Sequence, residues 1–261
     1  MSALSLDVGR IRLALTLDGD RREMRKRYGA FAGKAKPHYR VELSASGRMA
    51  RRGAPRIDGG DVLRCAADRF AWELDLEGGR GRGRFERSAQ NLDSFLRTLY
   101  CSILPRQGGA MLHAAALSHN GKAHLFVGIS GAGKSTISRK LDGVLGLKCL
   151  SDELVALRRT PAGLRVFSTP FWGEFRLPRN TGSAPLGKIF FLAGKGDRII
   201  PLTAAQTQSR LLRCLVSFER TKEPLGAAWD VLLEAVAGRP CATLFWDKNA
   251  DPKALIKRLW D

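Results

Sequence analysis

No stretch of the 261 residues is apolar for ~18 consecutive positions, so no membrane-spanning helix is expected. The first residues, Met1-Ser2-Ala3-Leu4-Ser5-Leu6-Asp7-Val8, carry an early acid and lack a basic stretch followed by an apolar one, which does not read as a secretory leader. Cysteine is scarce. Cys65, Cys101, Cys149, Cys214 and Cys241 are odd in number and contain no CxxC pair, which argues against a disulfide framework or a zinc site and for reduced, buried thiols in a cytoplasmic protein. Acidic residues are also few, 25 Asp+Glu against 44 Lys+Arg, for a net charge of +19. The excess is spread along the chain: residues 1–105 carry 21 basic against 13 acidic side chains, and the remainder 23 against 12. Such a surface attracts polyanions, but charge alone does not establish nucleic-acid binding.

With 44% hydrophobic residues, the chain can build a real core, as one large domain or two small ones. Residues 4–105 contain short alternating segments, such as 11–17, 39–43 and 71–76. They are separated by turn signals at Asp18-Gly19-Asp20, Ser46-Gly47, Asp58-Gly59-Gly60 and Glu77-Gly78-Gly79. This pattern predicts an antiparallel sheet with one buried face. The repeat Gly79-Arg80-Gly81-Arg82-Gly83-Arg84 reads as a glycine-rich hairpin turn in preference to a nucleic-acid-binding RGG segment. Leu92, Phe95, Leu96, Leu99 and Ile103 share one face of a helix over 88–103, ended by Pro105 and Gly108-Gly109. A boundary near 106 divides a β-rich N-terminal region, 1–105, from an α/β core, 106–261. In the core, strands are expected at 111–117, 123–127, 147–150, 188–192 and 241–245, with a hairpin over 154–168. Helices are expected from about 134 to 141 and over 203–219, 226–237 and 251–260.

The strongest chemical signal is Gly128-Ile129-Ser130-Gly131-Ala132-Gly133-Lys134-Ser135, which fits GxxxxGK[ST] between an apolar strand and a helix-compatible segment. Gly128, Gly131 and Gly133 let the backbone turn tightly and bring its N–H groups against phosphate oxygens, with Ser130 and Ala132 between them. The helix beginning near Lys134 directs its positive end at the same oxygens. Lys134 neutralises β/γ charge, and the Ser135 hydroxyl can ligate magnesium, with Thr136 behind it. ATP and Mg2+ are the expected cofactors. Asp152 lies 17 residues beyond Ser135 at the end of an apolar segment, where a magnesium-organising or catalytic carboxylate belongs. Glu153 follows it, and neighbours on a strand end point to opposite faces, so only one faces the γ-phosphate. His113, in an apolar strand, reads either as a core histidine or as a site residue. Glu174 is an ambiguous carboxylate in an aromatic-rich turn. Arg176 and Arg179 read equally as phosphate clamps or as surface charge. There is no Asn-Lys-x-Asp guanine-reading motif and no Leu-Ser-Gly-Gly-Gln signature, which argues against GTPase and ABC-type readings.

In this order, Leu112-His113-Ala114-Ala115, the P-loop through Thr136, Leu150-Ser151-Asp152-Glu153 and Thr169-Pro170-Phe171-Trp172-Gly173-Glu174 together resemble the HPr kinase/phosphorylase-like family over about 106–245. The resemblance implies an α/β fold of mixed α+β type, with a phosphoenolpyruvate-carboxykinase-like P-loop core. It implies that Asp152 takes the proton of an attacking serine hydroxyl, that His113 lies near the phosphates, and that Glu174 is a metal-associated carboxylate beside Ser135 and Asp152. The acceptor implied is a peptide or protein serine, as in the precursor peptides of tailoring clusters, or a small-molecule alcohol. A homo-oligomer is implied; membrane and nucleic-acid partners are not. The family's paired aspartates are Asp152-Glu153 here, its Ser-Glu after the lysine is Ser135-Thr136, and its long glycine-rich signature is absent. These departures favour a short, divergent kinase over the carrier-protein regulator. A module that binds ATP without transferring phosphate is the other reading left open.

Overall fold

The computed structural model describes residues 2–17, 21–129, 131–171, 173 and 181–260. It is a mixed α/β protein of two compact units: residues 1–107 with 217–227, and residues 108–216 with 228–261. Among the described residues no helix is long and apolar enough to cross a membrane. None of the five cysteines forms a disulfide, and all are buried.

The first unit is a seven-stranded sheet. Its strands are β1 (Ser2–Val8), β2 (Ile11–Leu17), β3 (Tyr39–Ser46), β4 (Arg56–Asp58), β5 (Val62–Ala66), β6 (Phe70–Asp75) and β7 (Arg80–Glu86), in the spatial order β1-β2-β3-β7-β6-β5-β4. It is not wholly antiparallel: β2–β3 and β3–β7 pair in parallel. The cause lies between β2 and β3, where helix α1 (Arg21–Tyr28) supplies the crossover that a parallel neighbour requires. Alternation along β2, β3 and β6 buries one sheet face, which includes Leu13, Val41 and Trp72.

Helix α2 (Ala89–Arg106) belongs to this unit. Ser88 caps it by accepting the Asn91 N–H, and Pro105 is accommodated inside its last turn, so the helix runs past the expected end. The Arg-Gly repeat, expected to be a turn, is instead strand β7. A Cβ on Gly83 would come within 2.4 Å of the Phe95 ring, and one on Gly81 within 2.6 Å of the Glu73 carbonyl oxygen. Gly83 leaves room for helix α2 and Gly81 lies close against the β6 backbone, while the alternating arginines take the opposite face. Returning residues 217–227 are held by Glu219, whose carboxylate pairs bidentately with Arg106 at 2.6 and 2.7 Å.

The second unit is organised around an eight-stranded mixed sheet. Its elements are β8 (Gly109–His119), β9 (Lys122–Val127), α3 (Lys134–Leu141), β10 (Lys148–Ser151), β11 (Leu154–Thr160), β12 (Gly163–Phe167), β13 (Ser183–Leu192), β14 (Arg198–Pro201), α4 (Ala204–Leu212), α5 (Lys222–Val236, whose residues from 228 belong here), β15 (Cys241–Phe245) and α6 (Pro252–Trp260). Pairings β8–β9, β9–β13, β13–β12, β12–β11 and β11–β8 close a ring. Alternation splits β8 between two cores. Leu112, Ala114 and Ala116 join a cluster with α4 and α5 residues, while Ala115 and Leu117 join one with α3 and α6. The helix expected over 203–219 stops at Leu212, because residues 214–216 turn to hydrogen-bond along β8.

Candidate phosphate-binding site

The site is built on the middle of β8. On one edge, Ala114 pairs with Val127, the last residue of β9, and the glycine-rich loop begins at the next position. On the other edge, β10 and β11 follow one another along the same strand. Ser151 pairs with Ala116 and Leu154 with His113, and Asp152-Glu153 fills the break between them. Strands are spaced ~4.8 Å apart, so loop and carboxylates face each other across roughly 10 Å of sheet. The break is held by Ser151 Oγ and Thr169 Oγ1, which both donate to the Leu154 carbonyl, at 2.7 and 2.6 Å.

The loop itself is sterically fitted. Gly131 and Gly133 adopt φ of +79° and +93°, a region that side-chain-bearing residues rarely occupy. A Cβ on Gly128 would lie 2.6 Å from that of Ala132. Gly133 is the N-cap of α3, so the helix opens directly at the loop. Lys134 is buried, and its Nζ donates to the carbonyls of Gly128 and Ile129 at 2.9 and 3.0 Å. Burial lowers its pKa from the ordinary lysine value, against the opposing attraction of Glu153. Ser135 Oγ donates to the Asp152 carbonyl at 3.4 Å, and Thr136 occupies the first turn of α3.

The two carboxylates have different surroundings. Asp152 is 4% exposed, and its Oδ1 accepts the Gly173 N–H at 3.2 Å. A Cβ on Gly173 would meet its Oδ2 at 2.5 Å, so the carboxylate lies directly against that backbone. Glu153 is half-buried and faces His113, its Oε2 lying 3.5 Å from Nε2. His113 is therefore a partly exposed member of this cluster and not a core histidine. Among the expected site residues, the structure brings together Gly128, Gly131, Ala132, Gly133, Lys134, Ser135, Thr136, Asp152 and His113. Ser130 and Glu174, with Arg176 and Arg179, lie outside the described residues.

Three contributors were not legible in the motifs. Cys214 accepts the His113 N–H through its carbonyl at 2.8 Å, and burial raises the pKa of its thiol, against the opposing influence of Lys134 and the Gly128 backbone. Trp246 lies against Gly133, 3.4 Å from where a Cβ would stand. Gly173 receives Asp152. Only the last had a local signal, a glycine in an aromatic-rich turn.

No cluster of three or more His, Cys, Asp or Glu side chains suited to a metal is found among the described residues. Magnesium does not need one, since it is commonly held by one or two carboxylates with substrate phosphates and water. The Ser135 hydroxyl and the Asp152 carboxylate are the oxygen donors that suit it here. Comparison with known protein families and with curated proteins gives no match.

Proposed function

We propose that the chain is an ATP- and magnesium-dependent kinase that transfers the γ-phosphoryl group to a serine hydroxyl of a peptide or protein, on a phosphoenolpyruvate-carboxykinase-like P-loop core. One observation carries the reading: the P-loop and the Asp152-Glu153 break flank the same stretch of β8. A phosphate cradle alone suits any nucleotide-binding protein. A buried carboxylate opposite it adds the group that accepts a proton when a hydroxyl attacks.

In this reading the loop N–H groups and the α3 N-terminus hold the phosphates. Lys134 leaves the carbonyls of Gly128 and Ile129 and neutralises charge on the β/γ oxygens. Asp152 takes the proton of the acceptor hydroxyl as its oxygen bonds to the γ-phosphorus and the bond to ADP breaks. His113 and Glu153 hold one another at the rim. When bound, magnesium supplies further neutralisation of phosphate charge, held through Ser135 and Asp152. The nucleotide side rests on the geometry, and the serine acceptor rests on the family resemblance. Incubation with radiolabelled ATP, magnesium and serine-containing peptides should transfer label to serine in the wild type. Binding of ATP with no transfer to any peptide or small alcohol would instead support a non-catalytic nucleotide-binding module.

A further inference from the structure

We propose that the solvent-facing side of the first unit's sheet is a docking surface for an extended, acidic polypeptide segment. Cross-strand register arranges this face in rows. One row runs Glu42, Arg82, Glu73, Arg64, Asp58 across β3, β7, β6, β5 and β4, alternating in sign at every step. Its centre is internally paired: Arg82 Nε lies 2.7 Å from Glu73, and Arg64 Nε 4.0 Å from the same carboxylate. The neighbouring row differs. It runs Ser44, Arg84, Ala71, Ala66, Arg56, with an arginine on either side of two alanines and no acid.

The two alanines line a cavity of about 710 Å³ together with Arg84, with Arg52 from the preceding loop, and with the charged side chains of the alternating row. That loop is tied down through its backbone: Met49 N–H donates to Glu86 at 2.7 Å and Arg52 N–H to Asp68 at 2.6 Å. The loop backbone is thus fixed while the Arg52 side chain stays exposed. Among the described residues neither Arg52 nor Arg84 has an ion-pair partner.

A small-residue trough between unpaired guanidiniums suits a backbone lying close to the sheet with carboxylates reaching the arginines. From Ser44 to Arg56 the row crosses four strand spacings, roughly 19 Å, which an extended peptide spans in about six residues. A nucleic-acid strand fits less well. Single-stranded binders stack bases on aromatic rings. The aromatic side chain at this cavity, Trp72, is buried with its indole N–H donated to Thr98, so no ring is offered for a base to stack on. The inference does not depend on the kinase reading, because such a segment would dock whether or not it is phosphorylated.

The test is fluorescence anisotropy of the full chain at low salt, with a labelled peptide of alternating Glu and Ala, about eight residues long to overhang the row. The alternating Lys-Ala peptide and a single-stranded oligonucleotide of matched charge serve as comparisons. The Glu-Ala peptide should bind with salt-sensitive affinity. Joint replacement Arg52→Ala with Arg84→Ala should weaken it about tenfold. Ala71→Glu, which puts a like charge on the trough floor, should abolish it. Arg40→Ala, which removes the same charge from another row, should change it less than twofold or so. Absence of peptide binding would overturn the proposal. So would tighter binding of the oligonucleotide, or equal losses for Arg84→Ala and Arg40→Ala.

Discussion

Mild acid should loosen the second unit through one histidine. His124, on β9 three residues before the end of that strand, is 4% exposed. Its Nδ1 faces the Lys188 N–H and its Nε2 the Trp260 indole N–H, each at 3.1 Å. A neutral imidazole can accept one of these, and an imidazolium neither. Burial, with the nearby charges of His119, Lys188 and Lys122, lowers its pKa from 6.5 to about 4, against a partly offsetting hydrogen bond with the His119 backbone. Above pH 6.5 the ring is neutral in both folded and unfolded chains and has no effect on the balance. As pH falls toward 4, the unfolded chain takes up the proton and the folded chain resists it, so stability is lost. Two-state linkage with these values gives a loss of about 2 kcal/mol at pH 5, approaching a limit of about 3 kcal/mol. Urea unfolding followed by tryptophan fluorescence, at pH 7 and pH 5, should show this loss in wild type and its absence in His124→Gln, over and above what other groups contribute to both. Parallel pH profiles for the two proteins would refute the reasoning.

Further outcomes follow from the same physical chemistry. Arg106→Ala strands the Glu219 carboxylate, whose side chain is 2% exposed, and should destabilise the first unit by about 3–5 kcal/mol in chemical denaturation. Gly83→Ala forces a methyl into the Phe95 ring and should cost about 1–3 kcal/mol by the same assay, whereas Arg84→Ala on the opposite face should cost little. Lys134→Ala removes the ammonium held by the Gly128 and Ile129 carbonyls at the proposed nucleotide site. It should lower ATP affinity in calorimetry at least tenfold while leaving the far-ultraviolet circular dichroism unchanged.

Local chemistry was legible in the sequence and long-range pairing was not. The P-loop could be read because its residues are contiguous and each has a steric or electrostatic task, as at Gly128 and Gly133. The placement of Asp152 near the loop could be read from its spacing and its position at the end of an apolar segment. The placement of Cys214 beside His113 could not: it depends on α4 ending at Leu212 so that 214–216 can run along β8, and the apolar pattern continues past that point. Parallel pairing of β2, β3 and β7 was likewise hidden, because alternation records which face is buried and not the direction of a neighbour. The Arg-Gly repeat misled because glycine marks both turns and close helix approach, and only Phe95 in α2 distinguishes the two at Gly83. Glu219 carried no motif at all, and its task of pinning 217–227 to the first unit appears only with Arg106 opposite it.

The central claim is that Asp152 acts in transfer and not merely in holding nucleotide. Asp152→Asn keeps the oxygen that accepts the Gly173 N–H, so the local fold should survive. The measurement is phosphoryl transfer from ATP with magnesium to an accepted serine peptide, alongside ATP affinity of the same preparation. The account predicts affinity within about threefold of wild type and transfer reduced at least about a hundredfold. Transfer at the wild-type rate would contradict it.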